Sequence, residues 1–356
     1  MRVLLKIFVV IIVLLSFGNL FSAERESYKL FFPVDSEMRQ PVNLGISFFT
    51  EDVSKLEFEE DGIRIKGEGY ECYNSAVRAI LDNDIAGVRE YLQGYSGENE
   101  KELAQQLGSV NYFWKKRLSN PETKLAKIVK FGDYKIFFVR EPYYRPGDNG
   151  VSSYWVLKIP IKNVNGKDYW IVDESRISTP SSNRTFAVLA IERLLNNKEM
   201  IADDTPYAYS FSATDDEDAI CLNFNAEKFC LNDILESECE VLQFCLKARE
   251  SISKDIHSYP DFCSKQESGQ IANRIESRLF RESFLDDWSK QQILCIINAD
   301  PMYIVYYQFP YYIAPRFVYK NGGRLYFVNS FGYSDYDNEI GALFRKNSSE
   351  ILDLIK

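Results

Sequence analysis

At 356 residues, with 46% hydrophobic and 15% aromatic content, the chain is longer than a single core usually supports and too apolar for a disordered tail, so two folded domains are expected. A formal net charge of −10 speaks against nucleic-acid binding, and one histidine with no Cys-x-x-Cys leaves few ligands for structural zinc. The charge is uneven: residues 24–197 carry 26 acidic and 24 basic side chains, residues 198–356 carry 26 and 16.

The first residues follow the order of a secretory leader. Arg2 and Lys6 precede an apolar run from Ile7 to Leu15, and Phe21-Ser22-Ala23 offers a cleavage region before Glu24. Residues 1–23 are therefore expected to be a cleaved signal peptide and the mature protein to be secreted or periplasmic; an uncleaved anchor is the competing reading. No later stretch is long and apolar enough to span a bilayer. Tyr28 to Phe32 reads as a short strand ending at Pro33, and Leu44 to Phe49 and Leu56 to Ile65 read as extended, the last folding back at Asp61-Gly62. From Glu71 the apolar period becomes helical through Ala76, Val77, Ile80 and Leu81, breaks at Asp82-Asn83-Asp84, and resumes with Ile85, Val88, Tyr91 and Leu92. A second helix is expected from Glu98 to Leu118.

After Pro121 the pattern is strand after strand: Leu125 to Phe131, Tyr134 to Arg140, Tyr154 to Ile161 and Tyr169 to Asp173, an antiparallel meander whose last turn is Asn165-Gly166. Phe186 to Leu195 closes this half as a helix. Domain boundaries are placed at 24–197 and 207–356, with an acidic linker at 198–206. The second half repeats the order. Tyr207 to Phe211 and a hairpin from Ile220 to Leu231 are extended, Val241 to Ile256 and Gln266 to Trp288 helical, and four strands from Ile293 to Asn329 precede a helix from Ser349 to Ile355. Residues 125–144 lie over 293–312 without a gap at a shift of 168, and the Asn-Gly turns align at a shift of 156, which predicts an internal duplication.

The helix Ala76 to Leu92 with its break at Asp84, together with the closing strands Tyr154 to Lys162 and Asn165 to Asp173, has a counterpart in each half. That element order resembles the SnoaL-like and nuclear-transport-factor-like α+β superfamily of cone-shaped folds. The resemblance implies two tandem similar α+β domains, each a helical hairpin packed on a curved antiparallel sheet, with a pocket at the wide end that some members use for catalysis.

Seven cysteines, at 72, 221, 230, 239, 245, 263 and 295, become disulfide candidates after export. Cys221 and Cys230 would face each other on a hairpin turning at Asn225-Ala226. His257 and Cys263 make a conceivable nucleophile pair without an orienting partner. Asp215-Asp216-Glu217-Asp218 lacks the spacing of a calcium loop, and no phosphate-cradling glycine loop occurs, so neither metal nor cofactor is expected. The enriched feature is paired aromatics. Tyr143, Tyr144, Trp155, Tyr311 and Tyr312 are the candidate ligand-binding residues, since adjacent strand residues face opposite ways and one of each pair is left for recognition. The functional expectation is an exported, non-catalytic binding or assembly protein engaging a protein or glycan partner; the alternative is a small-molecule enzyme with a pocket in one domain.

Overall fold

The computed structural model describes residues 23–33, 39–84, 91–93, 113–171, 183–213, 220–229, 239–328 and 335–356. The expected leader, apart from Ala23, lies outside the described residues, as do Cys230, the acidic run 215–218 and residues 98–112 of the expected second helix. The described residues fall into two compact units, one drawn from 1–26 and 48–176, the other from 27–47 and 177–356.

In the first unit, helix α1 (Glu71–Asp82) buries Tyr73, Ala76, Val77 and Ile80, the predicted stripe, and ends where Asn83 adopts φ 56° and donates its N–H to the Ala79 carbonyl. This face packs on a meander of β4 (Lys124–Phe131), β5 (Tyr134–Tyr143), β6 (Ser153–Val164) and β7 (Lys167–Ile171). Tyr73 stacks on Phe137 with ring centres 4.2 Å apart, and its hydroxyl donates to the Ile63 carbonyl, which satisfies the polar end of a fully buried ring. Asn165 and Gly166, at φ 55° and 83°, form the two-residue turn between β6 and β7. The resumed helical stripe does not reach Leu92: β3 (Leu92–Gln93) is a strand paired parallel with Trp170 and Ile171.

The second unit has a meander of the same kind: β10 (Gln292–Ala299), β11 (Met302–Gln308), β12 (Ile313–Asn321) and β13 (Arg324–Val328). Over one face lie α3 (Glu240–Lys254), a 3-10 turn at Ile256–Phe262, α4 (Lys265–Ile275) and α5 (Arg278–Lys290), with Trp288 and Tyr259 at the centre of an aromatic cluster. The helix expected from 266 to 288 is thus broken at Glu276-Ser277. Helices α2 (Asn183–Asn196), α6 (Asp335–Lys346) and α7 (Ser348–Leu354) complete the unit; α6 had no counterpart in the sequence reading.

The two meanders share their register residue for residue. Leu125↔Val139 and Lys127↔Phe138, with a bulge between Leu125 and Lys127, correspond to Ile293↔Tyr307 and Cys295↔Tyr306, with a bulge between Ile293 and Cys295, at a shift of 168. Beyond the β5–β6 loop the shift is 157: Tyr134↔Lys162 matches Met302↔Tyr319, and Ile161↔Trp170 matches Val318↔Phe327. The turn Asn165-Gly166 therefore corresponds to Gly322-Gly323 rather than Asn321-Gly322, and the first loop is longer by eleven residues, not twelve.

The expected fold class is corrected. The structure is dominated by its strands and is not built as a helical hairpin packed on a curved sheet. Among the described residues thirteen strands form one sheet, in the order β13-β12-β11-β10-β9-β2-β4-β5-β6-β7-β3, with β1 (Glu24–Pro33) beside β2 (Arg39–Glu51) and β8 (Tyr209–Ser212) beside β9 (Cys221–Glu227). It is antiparallel except at β3. The expectation failed because strands before the first helices were treated as local, whereas β2 pairs with β4 through Phe49–Glu51 and with β9 through Gly45–Ser47. The hairpin expected at Asn225-Ala226 is also absent: β9 runs straight through these residues, pairing Asn225 with Asn298 and Ala226 with Ile297. No two of the described cysteines lie at disulfide distance. Among the described residues no helix is long and apolar enough to cross a membrane.

Glu51 ends β2 almost without solvent exposure, with Lys130 Nζ at 2.7 Å, Lys135 Nζ at 3.2 Å and the Tyr70 hydroxyl donating at 3.1 Å. Burial raises the Glu51 pKa, but the hydrogen bond and charge of Lys130 and the charge of Lys135 outweigh it and hold the carboxyl below the ordinary 4.5. Because the folded value is the lower one, the stability this group contributes is present above the unfolded pKa and lost as pH falls through the folded one. Glu51→Gln is expected to cost about 1–3 kcal/mol at pH 7, and the gap to wild type should narrow as the pH falls below about 4, as read by urea denaturation at several pH values.

Candidate functional site

The core face of each meander runs past the layer that covers it and ends in exposed aromatics. In the first unit Glu141 pairs with Trp155 and Tyr143 with Ser153, so all four share the face that carries buried Val139 and Leu157 further in. Trp155 is nonetheless 44% exposed. It is held, not loose: the Arg117 guanidinium lies 3.9 Å from its ring centre and 4.9 Å from that of Trp114, and Tyr143 meets it edge-on at 5.5 Å. Arg117 is set in turn by Glu141 at 3.7 Å, whose carboxylate also accepts from Asn120 Nδ2 at 2.8 Å. Tyr144 donates to the Glu122 carboxylate at 3.1 Å. Four candidate features, Tyr143, Tyr144, Trp155 and a stacked arginine, thus stand together at one end of the β5–β6 hairpin.

In the second unit the corresponding turn is short. Phe309 donates its N–H to the Tyr312 carbonyl at 2.8 Å and stacks on the Tyr312 ring at 4.7 Å, leaving Tyr311 at the tip, 95% exposed. Tyr311 and Tyr312 occupy the equivalents of Tyr143 and Tyr144.

The difference lies beneath them. At the shift of 157, Arg316 occupies the place of Ile159, a core residue with no exposure. Its guanidinium carbon lies 4.9 Å from the Trp288 ring centre and 5.8 Å from that of Phe309, and Nη1 donates to the Tyr259 hydroxyl at 3.4 Å. Arg316 Nε and Trp288 Nε1 are buried without a hydrogen-bond partner. Beside them is a cavity of about 210 Å³ reached by Tyr259, Glu267, Phe309, Tyr312, Arg316 and Arg345. Two ring contacts and one long hydrogen bond leave Nε of this partly buried guanidinium without a partner.

The sequence signal for Arg316 was present but misaligned. At the expected shift of 156 it fell opposite Pro160, on the other face of the strand; a one-residue slip moves every side chain across the sheet.

The nucleophile reading of Cys263 and His257 finds no support in the geometry. The Cys263 thiol donates to the Tyr259 carbonyl at 3.5 Å, and burial pushes its pKa up to about 12, so it stays protonated; His257 is exposed on the 3-10 turn. Cys72, Cys245 and Cys295 are likewise buried and raised to about 12, chiefly by desolvation. Cys221 sits in β9. Among the described residues no group of His, Cys, Asp and Glu is placed to hold a metal ion.

No family model, no curated protein and no solved structure matches this chain.

The positional difference is testable on stability alone. Arg316→Met should leave the protein as stable as wild type or more so, since an apolar chain of similar length replaces an incompletely paired cation. Ile159→Arg should cost more than about 3 kcal/mol, because Ile159 has no exposure and sits within a hydrophobic core cluster. Paired urea titrations of the two variants measure both.

Proposed function

We propose that the protein is an exported, non-catalytic binding protein that engages a partner through the aromatic end of the β5–β6 hairpin. The observation that carries this reading is Trp155, exposed yet fixed between Arg117 and Tyr143. Pre-ordered Trp, Tyr and Arg side chains lose little entropy on contact, and these residue types dominate the energetics of protein interfaces. Glu122, Glu141 and Asn120 supply a polar rim around them. A protein surface fits this mixture of rings, one cation and carboxylates; a glycan, stacking on Trp155 alone, is the second ligand class. Export rests on the leader-like order of residues 1–23.

The test is a comparison of wild type with a Tyr144→Ala/Trp155→Ala double variant against fractionated envelope and culture-fluid proteins and a glycan array. A partner bound by wild type with micromolar affinity should bind the variant at least tenfold more weakly, while the two melt within about 2 °C of each other. Equal binding by a folded variant would place recognition elsewhere.

A further inference from the structure

We infer that the cavity beside β12 in the second unit is a binding site for a small organic carboxylate, with Arg316 as its anion contact and the stacked Phe309–Tyr312 pair as the wall against its apolar body. The inference is independent of the surface reading above, since it concerns other residues in the other unit.

Three observations converge on it. First, the two meanders agree in register through their bulges and turns, yet one inward-facing position changes from isoleucine to arginine. Second, the contacts of Arg316 leave its Nε without a hydrogen-bond partner: the Tyr259 hydroxyl accepts one long hydrogen bond from Nη1, Trp288 and Phe309 offer ring faces, and the Glu267 carboxylate borders the same cavity. The partner that Nε lacks is an acceptor. Third, Arg345 of α6, though an exposed residue, borders the same cavity, so a second cation faces the space. This occurs in the half of the chain where acidic residues outnumber basic ones by 26 to 16, so the local field is opposite in sign to its surroundings.

The chemistry of the lining narrows the ligand. Glu267 borders the cavity, and its charge opposes a dianion such as phosphate more than a monoanion. Phe309, Tyr312, Phe327 and Ala314 supply the apolar part of a lining that is more polar than apolar overall. A volume of about 210 Å³ lies below the usual range for drug-sized ligands and suits a carboxylate on one aromatic or branched group. Such a group has two sources, a free organic acid or the last residue of a peptide.

Isothermal titration with benzoate and 3-phenylpropionate, their neutral amides, inorganic phosphate, and one apolar tripeptide with a free or amidated C-terminus separates the cases. A carboxylate should bind in the micromolar to low-millimolar range and its amide at least tenfold more weakly. Arg316→Met should lose at least tenfold, Arg316→Lys should recover part of that loss, and Glu267→Gln should tighten binding. Near-UV circular dichroism checks that each variant keeps its aromatic packing. Preference for the free-ended tripeptide over the small acids identifies a chain terminus as the source, and the reverse identifies a free acid. The inference is overturned if amides or phosphate bind as tightly as carboxylates, if folded Arg316→Met binds like wild type, or if no carboxylate binds at 10-fold above the millimolar range.

Discussion

The backbone ladder of β2 is the constraint on which the rest of the sheet depends. From Val42 to Phe48 this strand has almost no exposed residue, so its N–H and C=O groups need partners within the protein. They find them in two directions, with Gly45–Ser47 paired to β9 and Phe49–Glu51 to β4. The β2–β9 register is self-equivalent. Glu51 opposite Ile128 matches Glu227 opposite Ile296, which sets β2 over β9 at a shift of 176, and on that shift Ile46 pairs with its own equivalent, Leu222. Within this ladder Gly45 is where the segment Asp203 to Tyr207 comes close: a Cβ there would stand 2.7 Å from Asp203 Oδ2 and 2.8 Å from the Tyr207 ring.

Once the ladder fixes the register, the two meanders can be compared position by position, and their differences become chemically meaningful. Glu51 faces two lysines, whereas Glu227 faces Asn298, whose Nδ2 donates to it at 3.3 Å. An ion cluster in one copy has become an amide hydrogen bond in the other. Along β6 and β12 the change runs the opposite way, from an apolar Ile159 to a charged Arg316. The first copy thus keeps its polarity at the end of β2 and its aromatics at the surface, held by Arg117. The second places its arginine within the aromatic cluster beside a cavity. Binding at a flat aromatic surface and binding in a small cavity are the two uses these arrangements allow, and each draws on the copy that lacks the other.

Much of the sheet was legible because period-2 alternation and turn chemistry act locally. Leu125, Ile128, Ile136 and their equivalents at 293, 296 and 304 marked the strands, and Asn165-Gly166 marked a turn that only positive φ permits. Long-range pairing was not legible. Nothing within Arg39–Glu51 announces that Asn223 and Lys130 are its neighbours, since an antiparallel edge is satisfied by any strand of compatible pattern. The same locality explains the false hairpin at Asn225-Ala226, where two residues of weak turn propensity were overruled by pairing to β10. The exposed aromatics were read from paired Tyr and Trp residues on alternating strand faces, but the arginine that holds Trp155 was not read at all. Arg117 is 38 residues away in sequence and meets that ring only through packing. Arg316 was hidden by an alignment one residue out of register.

The central claim is that the chain builds one sheet through β2 instead of two separate sheets. Cross-strand backbone nuclear Overhauser effects in the deuterated protein test it most directly. Contacts joining Gly45–Ser47 to Cys221–Asn223, centred on Ile46 and Leu222, are the result this account predicts; full assignment of both segments with no contact between them would contradict it.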